Sequence, residues 1–537
     1  MASRALLSSV ITAMLFVMIF SRRSTRLPSF QHMSQNAICV SRSHHSYMMK
    51  PSRVLSVPPA FSSALAEYEK MHSKCYHSLK QSITNPAAGG SCKYLVHYEL
   101  DGLGNRLLGL VSTFVFSLLT NRVLLIDPKG QSAKLLCEPF ANSSWLVPQE
   151  FPHFHLDQAQ SLEKAVQSKK FGSMVHVWVA SLHRDQDIFH HQVRSKLKNV
   201  TWISLTSNLY FVPRLFTFPE FWKPLMSLFP DVRMAFTHLT RYLLLPQDHV
   251  WEKIVRFDST YLSGPGKQLG IQIRLHHRDD PGEFDQRSFD RILECLIGKE
   301  FLPMMMNSTT EIISAHPPKR IKVFVASLQG RYFQELKQMY LKYPSVDGSL
   351  VQIYTFSQEG VQNESIQQAT NALAEMWLLG FSDVLVTSSS STFGYIAQGI
   401  AGVRPYVLHI RPEDLKNCSL PACSRRLSPA PCNHQPYFEE EENLERMIPS
   451  DSVESSCGPP TFALWEEAVA ACQCEARLKE KGESFMLREG DNGGSRAWFE
   501  RELDLEVRAE CSITGLAMRV ESFAACGMVD ERQIAAI

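Results

Sequence analysis

A chain of 537 residues is long enough for two or more domains with large cores. Its 55 basic and 54 acidic residues nearly cancel, which argues against an electrostatic nucleic-acid binder. In chain order, the first predicted element is an uncharged run, Ala5 to Phe20, with Arg4 before it and Arg22, Arg23 and Arg26 after it. It is slightly short for a membrane span and lacks a clear small-x-small cleavage site. It therefore reads first as a signal anchor and second as a cleaved signal peptide. The basic residues lie mainly on its C-terminal side, which by itself argues against a cytoplasmic N-terminus. Residues 21–63 are rich in Ser, Arg and Pro with little periodicity, the pattern of a linker between membrane and body. From Ala64 to Lys80 an amphipathic pattern predicts a surface helix.

Two features bear on the compartment. Asn-x-Ser/Thr acceptor triplets begin at Asn142, Asn199, Asn307, Asn363 and Asn417, which supports a lumenal body. The thirteen cysteines include no CxxC pair, and Cys418, Cys423 and Cys432 cluster in a Pro/Ser-rich stretch, which reads as stapling of a loop in an oxidising compartment. For Cys137 and Cys295 unpaired buried thiols stay open as an alternative. Cys472-Gln-Cys474 has no matching partners for a zinc site.

Regular α/β character starts at Cys92–Tyr98, a strand-like run, and passes through Gly102-Leu-Gly-Asn-Arg106 into an apolar helix from Leu107 to Thr120. A strand at Arg122–Asp127 follows, completing a βαβ unit with a right-handed crossover. An aromatic-rich mixed region runs to Tyr261, and Ser263-Gly-Pro-Gly266 is a candidate hinge. The alternation then resumes. Strands are predicted at Leu269–Arg274, Lys322–Ala326, Val351–Tyr354, Asp383–Thr387 and Val403–Leu408. Helices are predicted at Ser288–Leu296, Tyr332–Tyr340 and Ala369–Leu379. Two successive α/β blocks imply two Rossmann-like domains facing a cleft. Beyond Phe438 lies an acidic run, Glu439–Glu442, and a Glu-, Arg-, Ala- and Cys-rich tail to residue 537 without recognisable chemistry.

The most informative stretch is Asp383–Tyr395, where an apolar strand enters the loop Ser388-Ser-Ser-Ser-Thr-Phe393 and a helix follows. Such a turn aims unpaired N–H groups and the positive end of a helix at one spot, which suits a phosphate; an ordinary capped βα unit has the same look. The Gly102–Arg106 turn allows close backbone approach but lacks the dinucleotide fingerprint, because its third glycine falls at Gly109. Asn105 and Arg106 supply donors toward an anion there. Arg274 ends an apolar strand, where a ligand of an open α/β sheet sits, and its planar fork suits a phosphate as well as a neighbouring carboxylate. His276-His-Arg-Asp-Asp280 reads as a solvated turn rather than a metal site. Glu375 and Trp377 read as core builders.

Taken together, Cys92–Val96, Asp101–Ser112, Leu136–Phe140, Tyr210–Pro213, Gly270–Arg274 and above all Ala372–Leu379 with Ser382–Ser388 and Ser391–Gly399 resemble the plant xyloglucan-type galactoside 2-alpha-L-fucosyltransferases. The likeness covers residues 64–438 in order. It implies a GT-B-like pair of Rossmann domains: an N-terminal acceptor-side domain at 64–262 and a GDP-fucose domain at 263–438. Around them would lie an anchor at 1–20, a stem at 21–63 and a divergent tail at 439–537. It also implies a single-pass type II Golgi membrane protein that moves L-fucose from GDP-fucose to O2 of a terminal galactose on a cell-wall glycan, with inversion and with neither metal nor cofactor. Arg274 and Ser391, Thr392 and Phe393 would hold the diphosphate, approached by Asn105 and Arg106. Assembly, as a homodimer or with other glycosyltransferases, stays open.

Two departures stand out. The family carries an Asp two residues before the Tyr-Phe-Val-Pro segment, near the acceptor, where this chain has Asn208. An amide aligns a hydroxyl but takes no proton from it. Ser389 and Ser390 replace a Gly-Trp pair, which removes an apolar surface beside the donor. These changes keep a second reading alive, a non-catalytic paralogue that binds GDP-fucose or glycan, with a protein O-fucosyltransferase as a third.

Overall fold

The computed structural model describes residues 39–431, apart from 85–90, 141, 149–158, 181–187, 189–190, 217, 276–284, 307–317, 358–362, 417–419 and 427. The Ala5–Phe20 run, the His276–Asp280 turn, Asn307, Asn417, Cys418, Cys432, Cys472, Cys474 and the tail fall outside the described residues. Among the described residues no helix is long and apolar enough to cross a membrane.

Strands β1 (Tyr94–Glu99), β2 (Val123–Ile126), β3 (Gln160–Ser161), β4 (Met174–Val179) and β5 (Trp202–Ser207) form one sheet, parallel throughout, in the order β2-β1-β5-β4-β3. A second sheet holds β6 (Lys267–Ile273), β7 (Arg320–Ser327), β8 (Leu350–Tyr354), β9 (Val384–Ser388), β10 (Tyr406–Leu408) and β11 (Cys423–Arg425) in the order β11-β10-β9-β6-β7-β8. Only the edge strand β11 runs antiparallel there. Parallel strands are covered on both faces, which is why β2 is buried at every residue and β6 at all but Lys267.

The helices that set the geometry are α1 (Val40–Met48), α2 (Pro59–Thr84), α3 (Leu103–Leu119), α4 (Ala235–Leu243), α5 (Asp248–Phe257), α6 (Gln286–Gly298), α7 (Gly330–Lys342), α8 (Ile366–Gly380) and α9 (Thr392–Ala401). Three of them are buried nearly all round: α3 from Leu107 to Ser117, α8 from Leu373 to Gly380 and α9 from Gly394 to Ala401. The cause is their position. α3 lies on β1 and β5, α9 on β9, and α3 and α9 pack on each other. One core therefore joins residues from both sheets' helices, among them Phe114, Trp251, Leu373, Trp377 and Ile396. Trp377 is fully buried edge-to-face against Trp251, ring centroids 5.5 Å apart, and its indole N–H donates to the Leu244 carbonyl at 3.1 Å. Glu375, also buried, accepts from the Ser357 amide and hydroxyl. Both residues build core, as their spacing suggests.

The stretch between residues 39 and 53 is better ordered than its composition implies. Cys39 is disulfide-bonded to Cys137, 98 residues on. The Val40 amide donates to Asp248 and the Ser41 hydroxyl to the Pro246 carbonyl. Lys50 pairs with Asp383 at the root of β9, and Arg53 donates to the Ser382 and Ala401 carbonyls. Long-range bonds, not local propensity, hold this polar helix. Two further disulfides are Cys75–Cys92 and Cys295–Cys423. Cys137 and Cys295 are thus bridged rather than free, and the Pro/Ser-rich stretch bearing Cys423 is stapled to α6.

Candidate functional site

The glycine turn after β1 and the serine loop after β9 meet. A Cβ placed on Gly104, in the first turn of α3, would lie 2.7 Å from Thr392 Oγ1, 2.8 Å from Thr392 C and 2.9 Å from Phe393 N. No side chain fits between those main chains, so glycine is required there for close approach rather than for an unusual φ. Two helix N-termini consequently converge on one spot. α3 begins at Gly102 with no side-chain cap, whereas α9 is capped by Ser391, whose hydroxyl accepts from the Gly394 amide at 3.4 Å. Two positive helix ends side by side favour an anion.

The serine loop is fixed from below and from the side. Gln272 on β6 accepts from the Ser388 amide at 3.2 Å, and Gln398 on α9 donates to Thr387 Oγ1 at 2.7 Å. The Arg274 amide donates to Ser388 Oγ at 2.8 Å, placing this residue just past the carboxyl end of β6 and against the loop. Burial lowers the pKa of its half-buried guanidinium, which still keeps its charge. Arg411, beyond the end of β10, donates to the Ser389 and Ser390 hydroxyls. Ser390 takes a left-handed φ of 55°, so this contact stabilises a backbone that L-residues adopt reluctantly.

Asn105, one residue along from Gly104, has a buried amide oxygen without a hydrogen-bond partner among the described residues. Such a group costs about 1–3 kcal/mol unless something meets it. Turned over, the same amide presents its N–H₂ end to an acceptor. Arg106 is more committed: it pairs with Glu364 at 2.6 Å and reaches Glu99 at 3.8 Å, while its Nε donates to the Asp101 carbonyl. On the far side of the glycine turn, the Asn208 amide donates to Asp101 Oδ2 at 2.5 Å.

Of the residues singled out in the sequence, Asn105 and Arg106 share one helix start with Gly104, Ser391 to Phe393 lie against it, and Arg274 is bonded to the same serine loop. Asn208 stands behind Asp101 at the end of the neighbouring strand β5. Arg411 and Asp101 were not anticipated. Arg274 directly follows β6, whereas Arg411 lies three residues past the end of β10, so the strand-end rule points toward its neighbourhood without singling it out. Asp101 carries no such signal, because its importance comes from β5 lying next to β1.

A sequence model of the xyloglucan fucosyltransferase family matches residues 30–441. The chain belongs to that family. A galactoside 2-alpha-L-fucosyltransferase of Pisum sativum is 37% identical over 398 residues, 70% of each chain. One of Arabidopsis thaliana is 37% identical over 426 residues, 74% of this chain and 75% of its own. Among solved structures, an Arabidopsis thaliana FUT1 mutant in complex with GDP superposes with a TM-score of 0.67 at 34% identity, over 75% of this chain and 90% of that one. This member of the family is accordingly a fucosyltransferase with an α/β fold of parallel sheets.

Proposed function

We propose that this fucosyltransferase moves L-fucose from GDP-fucose to O2 of a terminal galactose on a cell-wall glycan, with inversion and without a metal. The observation that carries the reading is the contact of Gly104 with Thr392 and Phe393, which sets two helix starts against each other beside the serine loop that the Arg274 amide holds. In such a transfer the glycosidic bond breaks as negative charge grows on the departing diphosphate. Backbone amides at the start of α9, the Asn105 amide and the Arg274 guanidinium are donors of the right sign, held before the reaction begins. GDP in the FUT1 structure supports a guanosine diphosphate donor. The two sheets then act as the halves of a GT-B-like cleft, with the acceptor hydroxyl approaching fucose C1 on the face opposite the diphosphate.

Exposed acceptor asparagines at 142, 199 and 363, with three disulfides, support a lumenal body in the Golgi, tethered through Ala5–Phe20 as a type II protein. The test is to incubate the body, starting ahead of Cys39, with labelled GDP-fucose and galactosylated xyloglucan in excess chelator. Label should enter the polymer as α-1,2-linked fucose at a rate the chelator does not change. Loss of transfer in chelator, restored by a divalent cation, refutes the metal-free step. Asn208 favours one rival, a GDP-fucose-binding protein without turnover. That reading requires tight GDP binding, no transfer to any galactosylated glycan, and no rescue by Asn208→Asp.

A further inference from the structure

Transfer to a hydroxyl needs a group to take its proton, and the ends of β1 and β5 supply one. These strands pair in parallel from Tyr94–Trp202 to Glu99–Ser207, so the residues just beyond them, Asp101 and Asn208, are brought side by side. Asn208 is only 3% exposed, and its Nδ2 donates to Asp101 Oδ2 at 2.5 Å. Asp101 itself faces solvent, at the lip of the glycine turn that rests on Thr392. Its φ of 63° turns the chain sharply there, and Arg106 Nε holds the turn by donating to the Asp101 carbonyl. Among the described residues Asn208 is the one hydrogen-bond partner of the Asp101 carboxylate.

The other carboxylates around the turn are occupied. Glu99 accepts from the Gln131 and Ser132 amides at 2.8 and 2.7 Å, which caps the short helix Ser132–Leu135. Glu364 is engaged by the Arg106 guanidinium at 2.6 Å. Glu364 keeps its second oxygen and is exposed, but its charge is already balanced by the Arg106 guanidinium, which weakens it as a base. Asp101 combines exposure, an orientation fixed by a neutral amide and an oxygen that has no partner among the described residues.

We infer that Asp101 is the general base of the fucosyl transfer and that Asn208 is its positioning residue; the inference rests on the transfer reading above. In the step, the acceptor oxygen forms a bond to fucose C1 while its proton passes to Asp101 Oδ1. The bond from C1 to the β-phosphate oxygen breaks, and its electron pair leaves on GDP. Asp101 then releases the proton to water. Asn208, donating to Oδ2, turns Oδ1 toward the acceptor, so a buried amide at this position serves the chemistry without itself taking a proton.

The experiment compares the wild-type body with Asp101→Asn, Asp101→Glu and Asn208→Ala. It measures kcat for transfer, GDP affinity by calorimetry and the thermal midpoint. Asparagine tolerates a left-handed φ, so Asp101→Asn should fold normally. Its kcat should fall by about 10²–10⁴-fold with GDP affinity and thermal midpoint unchanged, and Asp101→Glu should recover part of the loss. Asn208→Ala should lower kcat by roughly tenfold, again without weakening GDP. A kcat for Asp101→Asn within about threefold of wild type overturns the assignment, and so does a fall in kcat that merely tracks lost GDP affinity. If the wild-type body binds GDP but transfers no fucose to any galactosylated glycan, the transfer reading itself is what fails.

Discussion

Gly104→Ala is the sharpest probe of the convergent helix starts. The new methyl would meet Thr392 C at 2.8 Å and Phe393 N at 2.9 Å, both main-chain atoms that no rotamer change can move aside. Ordinary carbon contacts begin near 3.4 Å, so α3 and α9 must separate by roughly half an ångström. α9 cannot drift freely, because Arg241 and Arg53 grip its far end through the Ile400 and Ala401 carbonyls. Overpacking of this kind costs about 1–3 kcal/mol, against which alanine's helix preference returns at most about 1 kcal/mol. For the ligand the effect is larger. Lengthening charge-assisted N–H···O bonds by that amount takes them to the edge of hydrogen bonding, and losing one is worth about 1.5–3 kcal/mol, or roughly 10–100-fold in GDP affinity. Calorimetric titration with GDP and thermal melts measure both terms. Gly298→Ala, at the end of α6 with nothing within 4 Å of the added methyl, is the control and should be neutral or slightly stabilising. If Gly104→Ala bound GDP as tightly as wild type and melted at the same temperature, the close contact would not exist and the anion site with it.

Arg274→Ala should abolish donor turnover while leaving the body folded, and the backbone bond to Ser388 Oγ survives the substitution; a near-normal rate in a variant that still melts cooperatively speaks against the diphosphate role. Replacing Cys39 and Cys137 by Ser opens a 98-residue loop and should cost about 2–5 kcal/mol in denaturant melts, and no loss would mean the bridge does not form. Asp258, in the π-helical turn Asp258–Leu262, is pushed up to about 6 by burial, with Lys322 and Lys50 pulling the other way. A carboxyl whose folded value is raised contributes stability below its unfolded value, and that contribution is lost as pH climbs to about 6. Asp258→Asn should therefore stabilise the body by about 1–2 kcal/mol at pH near 7.5 and much less near pH 4. Equal gains at both values argue against a buried charge.

The second sheet was readable because its strands are short apolar runs between polar helices: Leu269–Arg274, Lys322–Ala326 and Val351–Tyr354 fall on β6, β7 and β8. β5 was not. Its run Trp202-Ile-Ser-Leu-Thr-Ser207 buries Ser204, Thr206 and Ser207, hydroxyls that mask the period a strand would show. Missing β5 hid the neighbour of β1, and with it the meeting of Asp101 and Asn208. α1 was missed for another reason. Val-Ser-Arg-Ser-His-His-Ser-Tyr-Met has little intrinsic preference for helix, and its partners Asp248, Pro246 and Cys137 lie 98 or more residues away. The serine loop and Arg274 were legible because strand-end position is a local signal. How far Arg106 is committed to Glu364 was not, since that pairing spans 258 residues.

Arg53 bears on where a truncated enzyme body should begin. Its guanidinium and that of Arg241 close off the carbonyl end of the helix whose opposite end forms the serine loop. Truncation at residue 63, where composition alone would set the boundary, would discard that clasp together with the Cys39 bridge. The first casualty would be the footing of the serine loop some ten residues up the same rod. A secreted version trimmed there should be judged unstable before it is judged inactive.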